Sequence, residues 1–143
     1  MPDRLPSLLF VCVENSCRSQ MAEGFAHALG GGRIEASSAG SRPSGRVNPR
    51  AIRFMAERAV DLAPQRSKGL DDLPARRWDY VVTMGCGDAC PHLPAKHRLD
   101  WDLPDPKNLD DDAFRSVRDR IEGLVKDLVD EATASERSPR GPG

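Results

Sequence analysis

A cysteine and an arginine six positions apart, Cys12 and Arg18, have the spacing best suited to chemistry. They bound a turn between an apolar run at residues 8–11 and a helical pattern at residues 20–26. A strand-to-helix turn aims backbone N–H groups inward at the positive end of a helix dipole, so it can bind a tetrahedral oxyanion. Arg18 adds a planar donor for two anion oxygens, and the positive field favours the nucleophilic thiolate. The pair therefore predicts covalent attack on phosphate or a phosphate-like anion.

Two more cysteines, Cys86 and Cys90, follow the clearest later strand, at residues 78–84. Their spacing of four would bring them together on a helix, and they could also meet across a tight loop. A transient disulfide needs only an accessible thiolate and a nearby sulfur. The alternative is that these are incidental thiols in a loop. The same alternative applies to Cys12, since free cysteine is among the most buried residue types.

Strand and helix patterns alternate along the chain and indicate where these cysteines would lie. Asn48 is a candidate N-cap with Pro49 at the first helical position, and a long apolar stripe follows Asp110. The βαβ order predicts an α/β fold of three layers, a central four-stranded parallel sheet between helices. Ligands of such sheets bind at the carboxyl ends of the strands, where Cys12 falls. The predicted strands are residues 8–11, 33–38, 78–84 and 98–101.

Length and composition limit the class of protein. With 143 residues and a net charge of −1, we expect one domain over residues 1–131 and a disordered tail over residues 132–143. The near-neutral charge gives no reason to expect nucleic-acid or membrane binding, and the chain begins without a secretory signal. Four cysteines then suggest chemistry or metal in a reducing cytoplasm. No metal is expected, because Cys86, Cys90 and His92 lack the usual zinc spacing.

Residues 11–24 resemble the signature loop of the low-molecular-weight tyrosine phosphatase superfamily, and residues 15–24 are most similar to its arsenate reductase branch. With Cys90 as a last thiol, the chain resembles the thioredoxin-coupled type of these reductases. The resemblance covers most of the chain, from about Leu8 to the last helix. The loop motif is highly specific for the superfamily, and the extra cysteines favour the reductase branch. Further matching segments are residues 38–40, 47–52, 81–86 and 105–106.

The resemblance implies a thiol relay that reduces arsenate to arsenite for arsenic detoxification. Cys12 attacks arsenate, Cys86 attacks the Cys12 sulfur and releases arsenite, and Cys90 then forms a Cys86–Cys90 disulfide. An external thiol reductant would reduce that disulfide, with thioredoxin expected and NADPH supplying electrons through its reductase. Glutaredoxin with glutathione, or mycothiol, is the alternative. No bound cofactor is implied, and the partners are arsenate, its analogues phosphate and sulfate, and thioredoxin; we expect a monomer.

The resemblance also implies roles for individual residues. Asp105 matches the superfamily's acid, which would protonate a leaving oxygen or tune the attacking thiol, and Cys17 is a bystander to the relay. Some relatives hold a cation near the residues that match Asn15, Glu23 and Ser38; here Lys68 stands where an acidic ligand is expected, and its ammonium could replace the cation. Asn15 and Ser19 would hold the loop in shape. The residues implied to bind the oxyanion are Val13, Glu14, Asn15, Ser16, Cys17, Arg18 and Ser19.

Two other functions compete with arsenate reduction. A low-molecular-weight protein tyrosine phosphatase would use Cys12, Arg18 and Asp105 but would leave Cys86 and Cys90 without a role. Such phosphatases usually have an aromatic wall near the acid, which this sequence does not obviously supply. A non-enzymatic thiol module that binds arsenite or zinc through its cysteines is the third possibility.

Overall fold

The computed structural model describes residues 5–73, 76–85 and 93–137. Within these ranges, the chain forms four strands and three α-helices, with short 3₁₀ helices at Gly31–Arg33, Leu70–Asp72 and Pro106–Asn108. No helix in the described ranges is long and apolar enough to cross a membrane. The strands are β1 Ser7–Cys12, β2 Glu35–Gly40, β3 Trp78–Thr83 and β4 Ala95–Asp100, and the helices are α1 Arg18–Gly30, α2 Pro49–Ala56 and α3 Asp111–Arg137.

The four strands form one parallel sheet in the order β2-β1-β3-β4. Because β1 is central, its carboxyl end is flanked on both sides: Cys12 pairs with Gly40 of β2, and Val11 pairs with Thr83 of β3. The predicted α/β class and its four-stranded parallel sheet are confirmed. Cys12 lies at the edge of the sheet where parallel α/β proteins bind their ligands.

Alternate residues of β1 enter two different cores, and this fixes the direction in which Cys12 points. Leu8, Phe10 and Cys12 belong to a large cluster with apolar residues of all three α-helices. Leu9 and Val11 face the other side, where residues such as Leu70, Leu73 and Leu93 complete a smaller cluster. Both faces of β1 are therefore covered, which explains why its sequence is a continuous apolar run rather than an alternating one.

The start of α2 follows the predicted capping by Asn48, and a side chain also caps the start of α3. The Asn48 side chain accepts a hydrogen bond from the N–H of Arg50 at 2.8 Å, with Pro49 at the start of α2. Asp110 accepts from the N–H of Ala113 at 2.8 Å just before α3. Side-chain oxygens thus satisfy first-turn N–H groups that have no partner within the helix.

The structure shifts the predicted strand 33–38 to Glu35–Gly40, and it corrects two other boundaries by more than two residues. β4 begins at Ala95 rather than at residue 98, because it is an edge strand whose exposed residues hide the apolar pattern. The predicted tail, residues 132–143, begins too early, since α3 continues to Arg137. Ala132 and Thr133 are buried, and the Thr133 hydroxyl donates to the carbonyl of Val129 at 2.7 Å. Residues 138–143 of the predicted tail lie outside the described ranges.

Candidate active site

A cavity of about 230 Å³ opens at the carboxyl end of β1. Its lining brings together the nucleophile, the arginine and the candidate acid that the sequence places up to 93 positions apart. Asn15 and Ser19, which were also expected to contact the oxyanion, are fully buried and do not line it. The lining residues are Cys12, Val13, Glu14, Ser16, Cys17, Arg18 and Asp105.

The backbone of the anion-binding loop, residues 12–18, is held from outside the cavity. The carbonyl of Val13 accepts from the N–H of Arg42 at 2.8 Å, and the carbonyl of Ser16 accepts from the N–H of Asn48 at 3.0 Å. In a trans peptide, the N–H of the next residue points the opposite way. These contacts therefore leave loop N–H groups free to face the cavity, where they can donate to an anion.

A close approach of β2 supports the same loop. A Cβ atom at Gly40 would lie 2.4 Å from the carbonyl oxygen of Val13 and 3.0 Å from the nitrogen of Asn15. Only glycine leaves room for the loop at this position. Asn15 itself has a φ of 51°, a left-handed conformation that asparagine tolerates better than most side chains.

Arg18 is fixed before any substrate binds. Its side chain is 10% exposed, and Nη1 donates to the carbonyl of Leu103 at 2.9 Å. Nη2 lies 3.9 Å from Oδ2 of Asp105. At Gly85, where φ is 80°, a Cβ would lie 2.6 Å from Arg18 Nη1, so the chain after β3 passes directly against the guanidinium. A guanidinium held in this way presents its remaining N–H groups without a large ordering cost.

A line of buried hydrogen bonds runs from the nucleophile away from the cavity. Cys12 Sγ lies 2.9 Å from Ser19 Oγ, which also accepts from Asn15 Nδ2 at 2.8 Å. The oxygen of that amide accepts from Gln20 Nε2 at 2.8 Å, and Gln20 Oε1 accepts from Gln65 Nε2 at 2.7 Å. The Ser19 oxygen accepts from the Asn15 amide, which the two glutamines hold in place. The Ser19 hydroxyl hydrogen is therefore left to donate to a Cys12 thiolate. Sequence reasoning proposed Ser19 and Asn15 but missed the two glutamines.

Cys17 is a second thiol in the lining of the cavity. Burial raises the pKa of the Cys17 thiol to about 12, and the Asp105 carboxylate adds to the rise. Its side chain therefore stays a neutral thiol at physiological pH, whereas thiol attack requires the thiolate. This fits the prediction that Cys17 takes no part in a relay.

Behind the loop, Lys68 lies beside the carboxylate that was expected near a cation. Lys68 Nζ is 3.4 Å from Oε1 of Glu23, which also accepts from the Ser38 hydroxyl at 2.6 Å. Burial acts to raise the pKa of Glu23, but contacts with His27 and Ser38 and the Lys68 ammonium outweigh it and lower the pKa. The backbone N–H of Lys68 also donates to the side chain of Asn15 at 2.8 Å. Lys68 thus connects the buried carboxylate to the anion-binding loop.

Replacing Lys68 with methionine should lower the free energy of unfolding at pH 7. Glu23 would keep its charge with little solvent, since its side chain is only 10% exposed. We expect a loss of roughly 2 kcal/mol, below the ~3–5 kcal/mol that breaking a fully buried pair costs. Because the folded-state pKa of Glu23 is lowered, its stabilisation is present at neutral pH and lost in acid. The difference between the two proteins should therefore shrink as the pH falls.

Urea denaturation of both proteins between pH 7 and pH 4 measures this effect. Lys126→Met is the matched control, because Lys126 pairs at 3.4 Å with Asp130 on the surface of α3, where both side chains are more than 60% exposed. That control should change stability by less than about 0.5 kcal/mol. Equal effects of the two substitutions would contradict an electrostatic role for Lys68.

Cys86 and Cys90, like His92, lie outside the described residues. Among the described residues, no group of three or more metal-ligating side chains is placed to hold a metal ion. Of the residues that sequence reasoning missed, Gly85 carried a signal, because a glycine directly after a strand and before a candidate thiol suggests a close backbone approach. Gln20 and Gln65 carried none, since single glutamines are usually solvent-exposed.

Comparison with known proteins places this geometry in a family. Residues 7–138 match the model of the low molecular weight phosphotyrosine protein phosphatase family. The chain is 39% identical over 128 residues to a glutaredoxin arsenate reductase of Synechocystis, covering 87% of this chain and 97% of the relative. It is 38% identical over 133 residues to an arsenate reductase of Halalkalibacterium halodurans, covering 86% and 94%.

Solved structures agree with the sequence comparisons. An arsenate reductase in the phosphate-binding state superposes with a TM-score of 0.81 at 38% identity, covering 90% of this chain and 99% of the other. A thioredoxin-dependent arsenate reductase of Corynebacterium glutamicum superposes at 0.78 with 34% identity, covering 94% of this chain and 65% of the other. Both of these solved structures are of arsenate reductases. This chain belongs to the low molecular weight phosphotyrosine protein phosphatase family and, within it, to the arsenate reductases.

Proposed function

We propose that this protein reduces arsenate to arsenite through a relay of Cys12, Cys86 and Cys90, and so serves arsenic detoxification in the cytoplasm. The observation that carries the proposal is the position of Cys12 in an anion-binding cavity with Arg18, in a chain 39% identical to a named arsenate reductase. The same geometry also suits phosphate, consistent with the phosphate-binding state recorded for a similar structure.

In the first step, the Cys12 thiolate attacks the arsenic atom of arsenate. An S–As bond forms and one oxygen leaves as water, with its proton supplied by Asp105. Arg18 and the loop N–H groups bind the remaining oxygens and offset the charge of the anion. The Ser19 hydroxyl, 2.9 Å from Cys12 Sγ, stabilises the thiolate before attack. Arsenic is still pentavalent in this covalent adduct.

In the second step, the Cys86 thiolate attacks the Cys12 sulfur. A Cys12–Cys86 disulfide forms, and the electron pair of the S–As bond leaves with arsenic, which becomes trivalent arsenite. The support for Cys86 is the approach of Gly85 to Arg18, because Cys86 is the next residue in the chain. The two electrons gained by arsenic come from the two thiols.

In the third step, the Cys90 thiolate attacks the Cys86 sulfur and frees Cys12. The Cys86–Cys90 disulfide then passes to an external dithiol, for which thioredoxin is proposed, with NADPH as the electron source through its reductase. Its potential of about −270 mV makes thioredoxin a strong reductant of accessible disulfides. Similar proteins include both a glutaredoxin arsenate reductase and a thioredoxin-dependent arsenate reductase, so the assay below compares the two reductants directly.

The described cavity favours arsenate over phosphotyrosine as a substrate. Its lining contains no aromatic side chain that could hold a phenyl ring. Trp101, the aromatic residue nearest to Asp105 in sequence, packs instead against Phe10 in the core, with ring centroids 5.9 Å apart. A phosphatase of tyrosyl peptides would therefore lack the aromatic wall that such a substrate needs.

A coupled assay tests the proposed function. Arsenate-dependent oxidation of NADPH should occur with purified thioredoxin and thioredoxin reductase, because an internal disulfide needs a dithiol to attack it. Glutathione with glutaredoxin should support at most a small fraction of that rate. Turnover with glutaredoxin and none with thioredoxin would show that Cys90 is not the terminal thiol. Absence of arsenite with every reductant would contradict arsenate reduction itself.

A further inference from the structure

A charged pair lies at the edge of the anion-binding cavity and is not used by the relay. Glu14 lines the cavity, and Lys107 follows two positions after Asp105, which also lines it. The Lys107 ammonium donates to the two carboxylate oxygens of Glu14 at 2.9 and 3.2 Å. The pair therefore joins the loop that binds the anion to the segment that carries the candidate acid.

Both ends of this pair are held by backbone contacts. The N–H of Lys107 donates to Asp105 at 3.1 Å, and its carbonyl accepts from the Arg50 guanidinium at 3.0 Å. The carbonyl of Glu14 accepts from the Ser67 hydroxyl at 3.0 Å. Since the backbone is fixed on both sides, forming the ion pair orders only the two side chains. It therefore costs less conformational entropy than an ion pair formed between two mobile loops.

The pair also explains how a carboxylate is tolerated beside an anion-binding cavity. Unpaired, the charge of Glu14 would repel a dianionic substrate. The hydrogen bond to Glu14 and its charge raise the pKa of Lys107, so the ammonium keeps its charge throughout the physiological range. Glu14 lines the cavity and Lys107 does not, and their side chains are 42% and 37% exposed, so the ion pair extends from the cavity lining toward solvent.

The Glu14–Lys107 pair lies on the side of the cavity that carries Asp105, where the leaving group would depart. When Cys12 attacks, the departing oxygen must face the acid that protonates it. A phosphate ester would carry its organic substituent on that oxygen, beside Asp105 and hence close to Lys107. A free oxyanion carries at most a proton there. An ion pair on this side of the cavity would therefore hinder an ester more than a free oxyanion.

We propose that the Glu14–Lys107 pair is a specificity clasp, which narrows the mouth of the cavity and disfavours phosphate esters relative to free tetrahedral oxyanions. This rests on the proposed function, because it takes free arsenate as the substrate whose selection matters. A half-exposed ion pair is weak, so an ester can open the clasp at a modest cost. The expected discrimination is about fivefold, the size that such a pair allows.

Protection of Cys12 from alkylation measures the clasp without requiring any reduction of arsenate. Iodoacetamide labelling of Cys12, followed by peptide mass mapping, is carried out at increasing inorganic phosphate and at increasing phenyl phosphate. The ratio of the two half-protecting concentrations is compared among the wild type, Glu14→Gln and Lys107→Gln. The matched control is Glu35→Gln, because Glu35 pairs with Arg76 at 3.0 Å at the opposite end of the sheet.

We expect wild type and Glu35→Gln to need more phenyl phosphate than phosphate, and both clasp variants to reduce that ratio about fivefold. The reversed pair Glu14→Lys/Lys107→Glu should restore the ratio. An unchanged ratio in both single variants would overturn the proposal. The proposal would also fail if each substitution changed both half-protecting concentrations by the same factor, upward in one variant and downward in the other. Such a result would show that the pair changes the affinity for any anion through its charge and does not distinguish esters from free oxyanions.

This experiment separates failure of the clasp from failure of the proposed function. Phosphate binding at Cys12 involves no change in oxidation state, so the ratio remains measurable even in a protein that releases no arsenite. Conversely, the result could be that the wild type reduces arsenate with thioredoxin while the clasp variants leave the ratio unchanged. That result would support the proposed function and contradict the clasp.

Discussion

Cys12→Ser is expected to abolish arsenite production and any hydrolysis of aryl phosphates by the same protein. Both reactions begin with one thiolate in one cavity, and a serine hydroxyl there is neither ionised at neutral pH nor able to form a disulfide. Removal of a nucleophile commonly costs far more than 1000-fold, so we expect a loss of at least about that size. Arsenite release and p-nitrophenyl phosphate hydrolysis, measured on the same preparation, check both reactions.

Binding should survive this substitution. Arg18 and the loop N–H groups are positioned by contacts with Leu103, Arg42 and Asn48 that do not involve the Cys12 sulfur. Phosphate should therefore still raise the thermal unfolding temperature of Cys12→Ser, which shows that the cavity is intact. The matched variant is Cys17→Ala, in which the nucleophile remains and covalent attack should stay measurable. Arsenite formation by Cys12→Ser at a rate near that of Cys17→Ala would contradict the assignment of the nucleophile.

Much of the architecture could be predicted because the informative residues act locally. The apolar run before Cys12 marks a buried central strand, and Asn48 with Pro49 marks the start of a helix. Once the strands are recognised as parallel, the carboxyl edge of the sheet locates the site. Arg18 and Asp105 then follow from the family motif, and the cavity does contain both.

The parts that could not be predicted depend on contacts between distant segments. The exposed edge strand β4 and the last turns of α3 have weak apolar periodicity, so their bounds were misplaced. The clasp joins Glu14 to a lysine 93 positions away, and neither charge is unusual in its own segment. The same holds for Gln20 and Gln65, whose amides matter only because tertiary contacts bring them together. These bounds and contacts depend on packing and on hydrogen bonds between distant segments, which the local sequence does not reveal.

Cys90→Ser is expected to stop the reaction after a single turnover, with Cys12 and Cys86 joined. In the proposed relay, arsenite leaves when Cys86 attacks Cys12, so one equivalent per protein should be released before Cys90 is needed. Without Cys90, the Cys12–Cys86 disulfide persists, because Cys17 remains a neutral thiol with a pKa of about 12 and cannot attack it. The expected result is a burst of one equivalent and a steady rate reduced at least about 100-fold when thioredoxin is the reductant.

Peptide mapping under non-reducing conditions identifies the trapped bond. Cys90→Ser should yield a Cys12–Cys86 cross-linked peptide after arsenate is added, and Cys86→Ser should yield none and release little arsenite. The approach of Gly85 to Arg18 supports the expectation that Cys86, the next residue in the chain, reacts with Cys12 first. A Cys12–Cys17 bridge in the stalled protein would contradict the proposed order, because the thiol that attacks Cys12 would then be Cys17 of the anion-binding loop. Continued turnover of Cys90→Ser with thioredoxin would instead show that the reductant attacks the Cys12–Cys86 disulfide directly.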